Sequence, residues 1–179
     1  WDISPSIYQE PFTAASYGRG EVAPGTVLHS GEFTHHATDL VLPGVGFDFA
    51  FSRSYRSQTV GRGPLGPGWD LAYRSRLRPL PNGDLDFYDG RGRRATFHWH
   101  EGRKVYDGPP GLFMAIKRDG AGYRMLDRSG NVAIFDDQGR LTSITDLFRL
   151  SDAEGTATQL QYDLSSRLTG ITAHGRGMT

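Results

Sequence analysis

The sequence predicts an all-β protein built as an antiparallel ribbon of hairpins, and three observations carry that expectation. Glycine and proline are dense, 24 and 10 of 179 residues, and each costs a helix interior roughly 1–3 kcal/mol, so few windows can hold a helix. Apolar and polar residues alternate with a period of two in many short stretches, as half-buried strands require. A short aromatic-Asp-x-x-Gly-Arg unit recurs along the second half, each time just before an alternating stretch.

Taken in chain order, residues 1–20 scatter Ile7, Tyr8, Phe12 and Tyr17 among Pro, Ser and Gly without clean periodicity, and are read as an extended arm or linker. Residues 21–80 form a less regular β region that opens the fold. Within it, residues 47–55 put Phe47, Phe49, Phe51, Arg53 and Tyr55 on one strand face and small or polar residues on the other. Residues 69–73 repeat the alternation after the turn cluster Gly66-Pro67-Gly68. Residues 81–179 are read as successive hairpins. Asn82-Gly83 is a strong hairpin signal before the strand at 84–88. Further strands fit 93–99, 112–118, 121–126, 131–135, 140–145, 158–162 and 167–172, with turns at Asp119-Gly120, Ser129-Gly130 and Gln138-Gly139. The stretch from Asp146 to Thr158 reads equally as a helical turn or a loop.

Composition narrows function. Twenty basic residues balance twenty acidic ones, unlike the basic excess of a nucleic-acid-binding domain. No apolar run approaches the ~20 residues of a membrane-spanning helix. Cysteine is absent, which excludes disulfides and thiolate metal sites. Aromatic content of 12% is too high for a disordered chain. Lys104 and Lys117 are the only lysines among the twenty basic residues. Arginine lays its planar guanidinium on aromatic rings and grips carboxylates with two prongs, although a GC-rich genome would produce the same bias.

The repeat is clearest where Phe135-Asp136-Asp137-Gln138-Gly139-Arg140-Leu141-Thr142 aligns with Tyr162-Asp163-Leu164-Ser165-Ser166-Arg167-Leu168-Thr169. Tyr88-Asp89-Gly90-Arg91-Gly92-Arg93 is a third head, and Leu126-Asp127-Arg128-Ser129-Gly130-Asn131 a degenerate fourth. The aromatic should end one strand on the buried face. The Asp should cap the turn by accepting backbone N–H bonds, and the Gly should supply its positive-φ residue. The Arg then opens the return strand, where it can reach the Asp or a neighbouring ring. Ser166 replaces the expected Gly, so that turn should be looser or of another type.

This unit resembles the YD repeat of bacterial Rhs proteins, the C component of insecticidal Tc toxin complexes, and animal teneurins. The upstream blocks are similar to the start of an Rhs core. They are Leu28-His29-Ser30-Gly31-Glu32-Phe33, Thr38-Asp39-Leu40-Val41-Leu42-Pro43-Gly44, Arg53-Ser54-Tyr55-Arg56-Ser57 and Leu65-Gly66-Pro67-Gly68-Trp69. The resemblance spans roughly residues 20–176. It implies a segment of a curved β-shell that encloses a C-terminal toxin or other polypeptide, secreted or on a bacterial cell surface, within a longer protein. The implied role is structural. Its partners would be the rest of its own chain and the enclosed polypeptide, with self-association through open strand edges. The residues expected to set hairpin geometry are Tyr88, Asp89, Gly92, Arg93, Phe135, Asp136, Gly139, Arg140, Tyr162, Asp163 and Arg167. Those expected to shape the opening region are Gly31, Asp39, Pro43, Gly44, Arg53, Tyr55, Gly66, Gly68 and Trp69.

Other chemistry is weakly signalled. His35 and His36 should point to opposite strand faces, so with His29, Glu32 and Asp39 they make a poor metal set. His98 and His100 can share a face but lack a third ligand. Asp84-x-Asp86-x-x-Asp89-Gly90 fails the calcium-loop pattern where Tyr88 stands. There is no Gly-x-Ser-x-Gly elbow. The glycine-rich stretch from Gly61 to Gly68 lacks the Lys-Ser/Thr of a phosphate loop. No Asp-Pro dipeptide marks the aspartyl self-cleavage site of Rhs proteins. No enzyme activity, cofactor or metal is expected. The alternative function is surface adhesion or carbohydrate binding, with Trp69 and Trp99 as the aromatic platforms.

Overall fold

The computed structural model describes residues 21–23, 25–27, 30–42, 49–59, 62–146, 157–173 and 176–178. The expected arm at 1–20, Pro43, Gly44 and most of the ambiguous stretch after Asp146 lie outside them. The described chain is all-β and antiparallel, with one short 3-10 turn at Ala72–Arg74.

Five strands make the first sheet: β1 (Glu21–Ala23), β2 (Thr26–Val27), β3 (Glu32–Leu42), β4 (Phe49–Arg56) and β7 (Trp69–Leu71), paired in that order. Between them β5 (Arg62–Gly63) and β6 (Gly66–Pro67) form a separate small pair. The longest strand, β3, occupies a stretch that the sequence pattern left without a strand assignment. Its Thr-His-His-Ala-Thr-Asp run reads as polar. The neighbouring strand supplies its polar partners, through Thr38–Ser52 at 2.9 Å and His36–Ser54 at 3.1 Å.

The expected half-buried character of β4 is corrected in one respect: its small-residue face is the more buried. Ala50, Ser52 and Ser54 are buried, whereas Phe51, Arg53 and Tyr55 are only partly covered. The Ala50 amide donates to the Tyr73 hydroxyl at 3.3 Å, and Phe49, at the start of the other face, is buried as well. The predicted strand over 69–73 also shortens. It ends at Leu71, because the 3-10 turn swings Tyr73 inward to stack on Phe49 with ring centroids 5.2 Å apart.

The second sheet is an eleven-stranded meander in which each strand pairs with its neighbours in sequence. Its strands are β8 (Arg76–Pro79), β9 (Leu85–Tyr88), β10 (Arg94–His100), β11 (Val105–Asp107), β12 (Met114–Asp119), β13 (Gly122–Asp127), β14 (Asn131–Phe135), β15 (Leu141–Asp146), β16 (Thr158–Tyr162), β17 (Leu168–Ala173) and β18 (Arg176–Met178). Alternation places Leu85, Phe87, Phe97, Ile116, Met125, Phe135, Leu141 and Ile144 in one buried cluster. Each large side chain so buried contributes roughly 1.5–3 kcal/mol.

The sheet also bends back on itself. The Leu77 amide of β8 donates to the Gly139 carbonyl at 2.8 Å, and Arg76 bridges Arg140. The edge strand thus meets the turn between β14 and β15. A Cβ on Gly139 would lie 2.0 Å from the Leu77 carbonyl oxygen, and Gly139 has φ +74°, so a side chain at this closure would meet both a clash and an unfavourable backbone.

Candidate functional site

Four hairpin turns share one construction. Asp89, Asp136 and Asp163 each follow a strand and Asp127 ends one, and in each the Oδ1 accepts two backbone N–H bonds. The donors are Arg91 and Arg93 at 2.8 and 3.1 Å, Ser129 and Asn131 at 2.8 and 2.9 Å, Gln138 and Arg140 at 3.0 and 2.8 Å, and Ser165 and Arg167 at 2.9 Å each. The residue before the second backbone donor has positive φ in every case: Gly92, Gly130, Gly139 and Ser166. The expectation of a different turn at Ser166 is therefore corrected. Ser166 adopts φ +60° and keeps the whole bond set. The Asp clamp fixes the turn and serine accepts the left-handed backbone.

The second carboxylate oxygen distinguishes the turns. Arg140 Nε donates to Asp136 Oδ2 and Arg167 Nε to Asp163 Oδ2, both at 2.7 Å, and Asn131 Nδ2 donates to Asp127 Oδ2 at 2.9 Å. The last of these is an asparagine doing the arginine's work. Asp89 Oδ2 is buried without a hydrogen-bond partner. Burial pushes the Asp89 carboxyl above the usual carboxylate range, against the two backbone bonds from Arg91 and Arg93. Asp163, at the surface, is held below that range, first by the Arg167 backbone bond and then by its guanidinium.

Neighbouring hairpins interlock through the same arginine. The Arg140 guanidinium lies 5.0 Å above the Tyr162 ring and donates to Ser166 Oγ at 3.1 Å. The Tyr162 hydroxyl donates to the Leu141 carbonyl at 2.8 Å. Both fates expected for the repeat arginine, the Asp and a neighbouring ring, are realised in this one residue. Tyr88, Phe97, Tyr123, Phe135 and Tyr162 divide between two settings. Phe97, Tyr123 and Phe135 are buried in the core. Tyr88 instead lies under Arg76 and Arg78, and Tyr162 under Arg140. Alternation sends Tyr88 to the face opposite Phe87, whereas Tyr162 keeps the face of Leu160 and packs at the margin of the core cluster.

In the opening region, Asp39 pairs with Arg53 at 2.8 Å, and Arg53 also lies 5.0 Å above the Trp69 ring. Tyr55 packs on Trp69 at 5.3 Å and on Phe33 at 6.2 Å. Gly68 has φ +74°, and its carbonyl accepts the Arg56 amide at 2.9 Å. Gly31 and Gly66 also have positive φ. Buried Glu32 accepts both prongs of Arg56, which holds its carboxyl below the usual range. Sequence reading weighs Glu32 as a weak metal ligand and prefers a turn or ion-pair role, and an ion pair is what it forms. Its long-range partner, on a different strand, was not legible.

The remaining candidates are dispersed. Trp69 is engaged by Arg53 and Tyr55, while Trp99 belongs to the other sheet, where it packs on Tyr106 at 4.8 Å and donates to Glu101 at 2.6 Å. His35 faces Trp69, whereas His36 bonds Ser54. His98 bonds Asp84 at 2.8 Å, and His100 accepts the Arg103 amide at 3.2 Å. Among the described residues no three His, Asp or Glu side chains gather as a metal site. Asp84, Asp86 and Asp89 go to separate partners: His98, Arg78 with Thr96, and the backbone of the β9–β10 turn.

One cavity of about 300 Å³ adjoins the Asp89 turn. Phe87, Asp89 and Leu112 are its buried lining, Ala95, Thr96 and Pro109 are half-buried, and Arg93, Arg94 and His98 are exposed at its rim.

Residues 27–97, from the end of β2 to Phe97 in β10, match a family described as a domain of unknown function, DUF6531. No curated protein matches the chain. The family match takes in the upstream sequence blocks and the first Asp turn, and it stops before the other three.

Proposed function

We propose that this segment is the starting end of a longer Rhs/YD-type hairpin ribbon, whose role is to wall off a polypeptide rather than to catalyse a reaction. The observation that carries this reading is the inequality of the long sheet's two edges. At one edge β8 is blocked: Leu77 bonds the Gly139 turn, and Pro79 has no N–H to offer a further strand. At the other edge β18 pairs only with β17 among the described residues. An unpaired edge is a template for another strand, so a further hairpin could add beside β18. Four like turns, with Arg140 locking one hairpin to the next, supply a rule by which further hairpins would be added.

In this reading the protein is a secreted or surface component of a bacterium, its partners are further hairpins of its own chain and the enclosed polypeptide, and its arginines and aspartates set register. The full-length natural product tests it under limited proteolysis. A C-terminal segment should resist protease in the intact protein and become cleavable when Gly139→Val breaks the closure. Equal cleavage of that segment in both proteins would reject the enclosing role.

A further inference from the structure

The chain as a whole carries no net charge, yet the outer face of β8, β9 and β10 gathers arginines. Strand pairing sets them out in two rows. Arg76, Tyr88 and Arg94 are register partners across the three strands, and Arg78, Asp86 and Thr96 form the next row. Partners in register share a face, and so do residues two apart on a strand, so these six side chains stand together. The other face of the same strands sends Leu77, Leu85, Phe87 and Phe97 into the core.

The three guanidinium groups converge. Arg78 Nη2 lies 2.7 Å and Arg94 Nη1 3.9 Å from the same oxygen, Asp86 Oδ2. Arg76 and Arg78 both cover the Tyr88 ring, at 4.6 and 5.7 Å from its centroid. Asp86 is buried beneath them, and its Oδ1 accepts the Thr96 hydroxyl at 2.8 Å. Among the described residues Arg76 forms no ion pair, and its guanidinium covers only Tyr88. The nearby acids Asp84 and Asp136 are already engaged, by His98 and Arg140. One buried carboxylate thus serves three arginines that are exposed to solvent, which leaves this face with an excess of two positive charges.

We propose that this face is a binding site for a phosphate monoester, held by the guanidinium groups of Arg76, Arg78 and Arg94. A phosphate monoester is a compact dianion near neutral pH and presents three strong acceptor oxygens. Its charge balances the excess, whereas a single carboxylate would leave half of it. The planar fork of an arginine matches phosphate geometry, and the exposed N–H groups of three such forks are reachable from outside. Tyr88 holds Arg76 and Arg78 over its ring, so less side-chain freedom is lost when the anion binds. The site is an open sheet face, which admits free phosphate and a phosphorylated side chain alike. This inference rests on the arginine rows and does not depend on the ribbon reading.

The test titrates the chain with inorganic phosphate and with a blocked Gly-phosphoserine-Gly peptide, using acetate as the monoanionic control. Low ionic strength limits screening, and about pH 7.5 keeps the phosphate largely dianionic. Side-chain N–H resonances of Arg76, Arg78 and Arg94 should shift with both phosphates, and acetate should bind about tenfold more weakly. Arg76→Gln, an exposed change, should weaken phosphate about fivefold. Asp86→Asn removes the competing charge while keeping an acceptor for Thr96, and should tighten binding. Arg124→Gln, which removes an exposed arginine paired with Asp119 on β12, should change nothing. Tighter binding of the peptide than of inorganic phosphate supports the site with a phosphorylated chain as its ligand, and equal binding supports it with free phosphate. Acetate binding as tightly as phosphate, or unchanged affinity in Arg76→Gln, would overturn the proposal.

Discussion

At the scale of single residues, the four turn aspartates have the same position and different chemistry. Asp89 has two backbone bonds but an unpartnered Oδ2, so its burial is an electrostatic cost. Its raised pKa means that the folded state takes up a proton at a higher pH than the unfolded chain does. Stability therefore rises as pH falls through that raised value, and the cost is fully present above it. Asp89→Asn should be neutral or stabilising by up to about 1 kcal/mol near neutral pH, whereas Asp136→Asn, which loses the Arg140 pair, should cost about 1 kcal/mol. Denaturant melts of the two variants check the opposite signs. Ser166 offers a second contrast, because a left-handed backbone costs an ordinary residue roughly 1–2 kcal/mol. Ser166→Gly should stabilise by up to about 1 kcal/mol after losing the exposed Arg140 contact, and a lowered melting temperature would refute that estimate. Glu32 runs the other way from Asp89. Its carboxyl is held low by Arg56, so its contribution is present above the unfolded value and lost as pH falls through the folded one.

At the scale of elements, hairpins were the legible part of the sequence. Asp-x-x-Gly-Arg marks a turn through bonds made within five residues, and local bonds are what sequence spacing can express. β3 escaped that logic because its partners are on β4, so its polar run carried no signal of pairing. β11 and β18, three residues each, were too short to show alternation. The candidate site divides in the same way. The Asp caps were legible except for the turn type at Ser166, while the burial of Asp89 depends on residues distant in sequence, Leu71 and Ala72, that pack on its turn. The interlock of adjacent hairpins is open to direct measurement. Arg140→Ala removes the Asp136 pair, the cover over Tyr162 and the Ser166 contact together, and should cost about 1–2 kcal/mol. Hydrogen exchange should accelerate in β15 and β16 more than in β12 and β13, and uniform protection across the four strands would contradict the interlock.

At the scale of the whole molecule, the meander gathers its core from β8 through β17, and the Leu77–Gly139 contact ties its first strand to a later turn. Phe97→Ala should cost roughly 3–5 kcal/mol, as for a fully buried aromatic, and should unfold the long sheet in a single transition. The closure at Gly139 also has a kinetic consequence. Nearly all pairings in the long sheet join neighbours in sequence, and such local contacts form quickly because little chain must be ordered to make them. The bond from β8 to the β14–β15 turn is the exception, since it waits until the six intervening strands, β9 to β14, have been laid down. It should therefore form after the folding transition state. Gly139→Ala should leave the folding rate nearly unchanged and accelerate unfolding, the signature of an interaction made late. On a ribosome, the strands could then assemble in the order in which they emerge, with the seam fastened last.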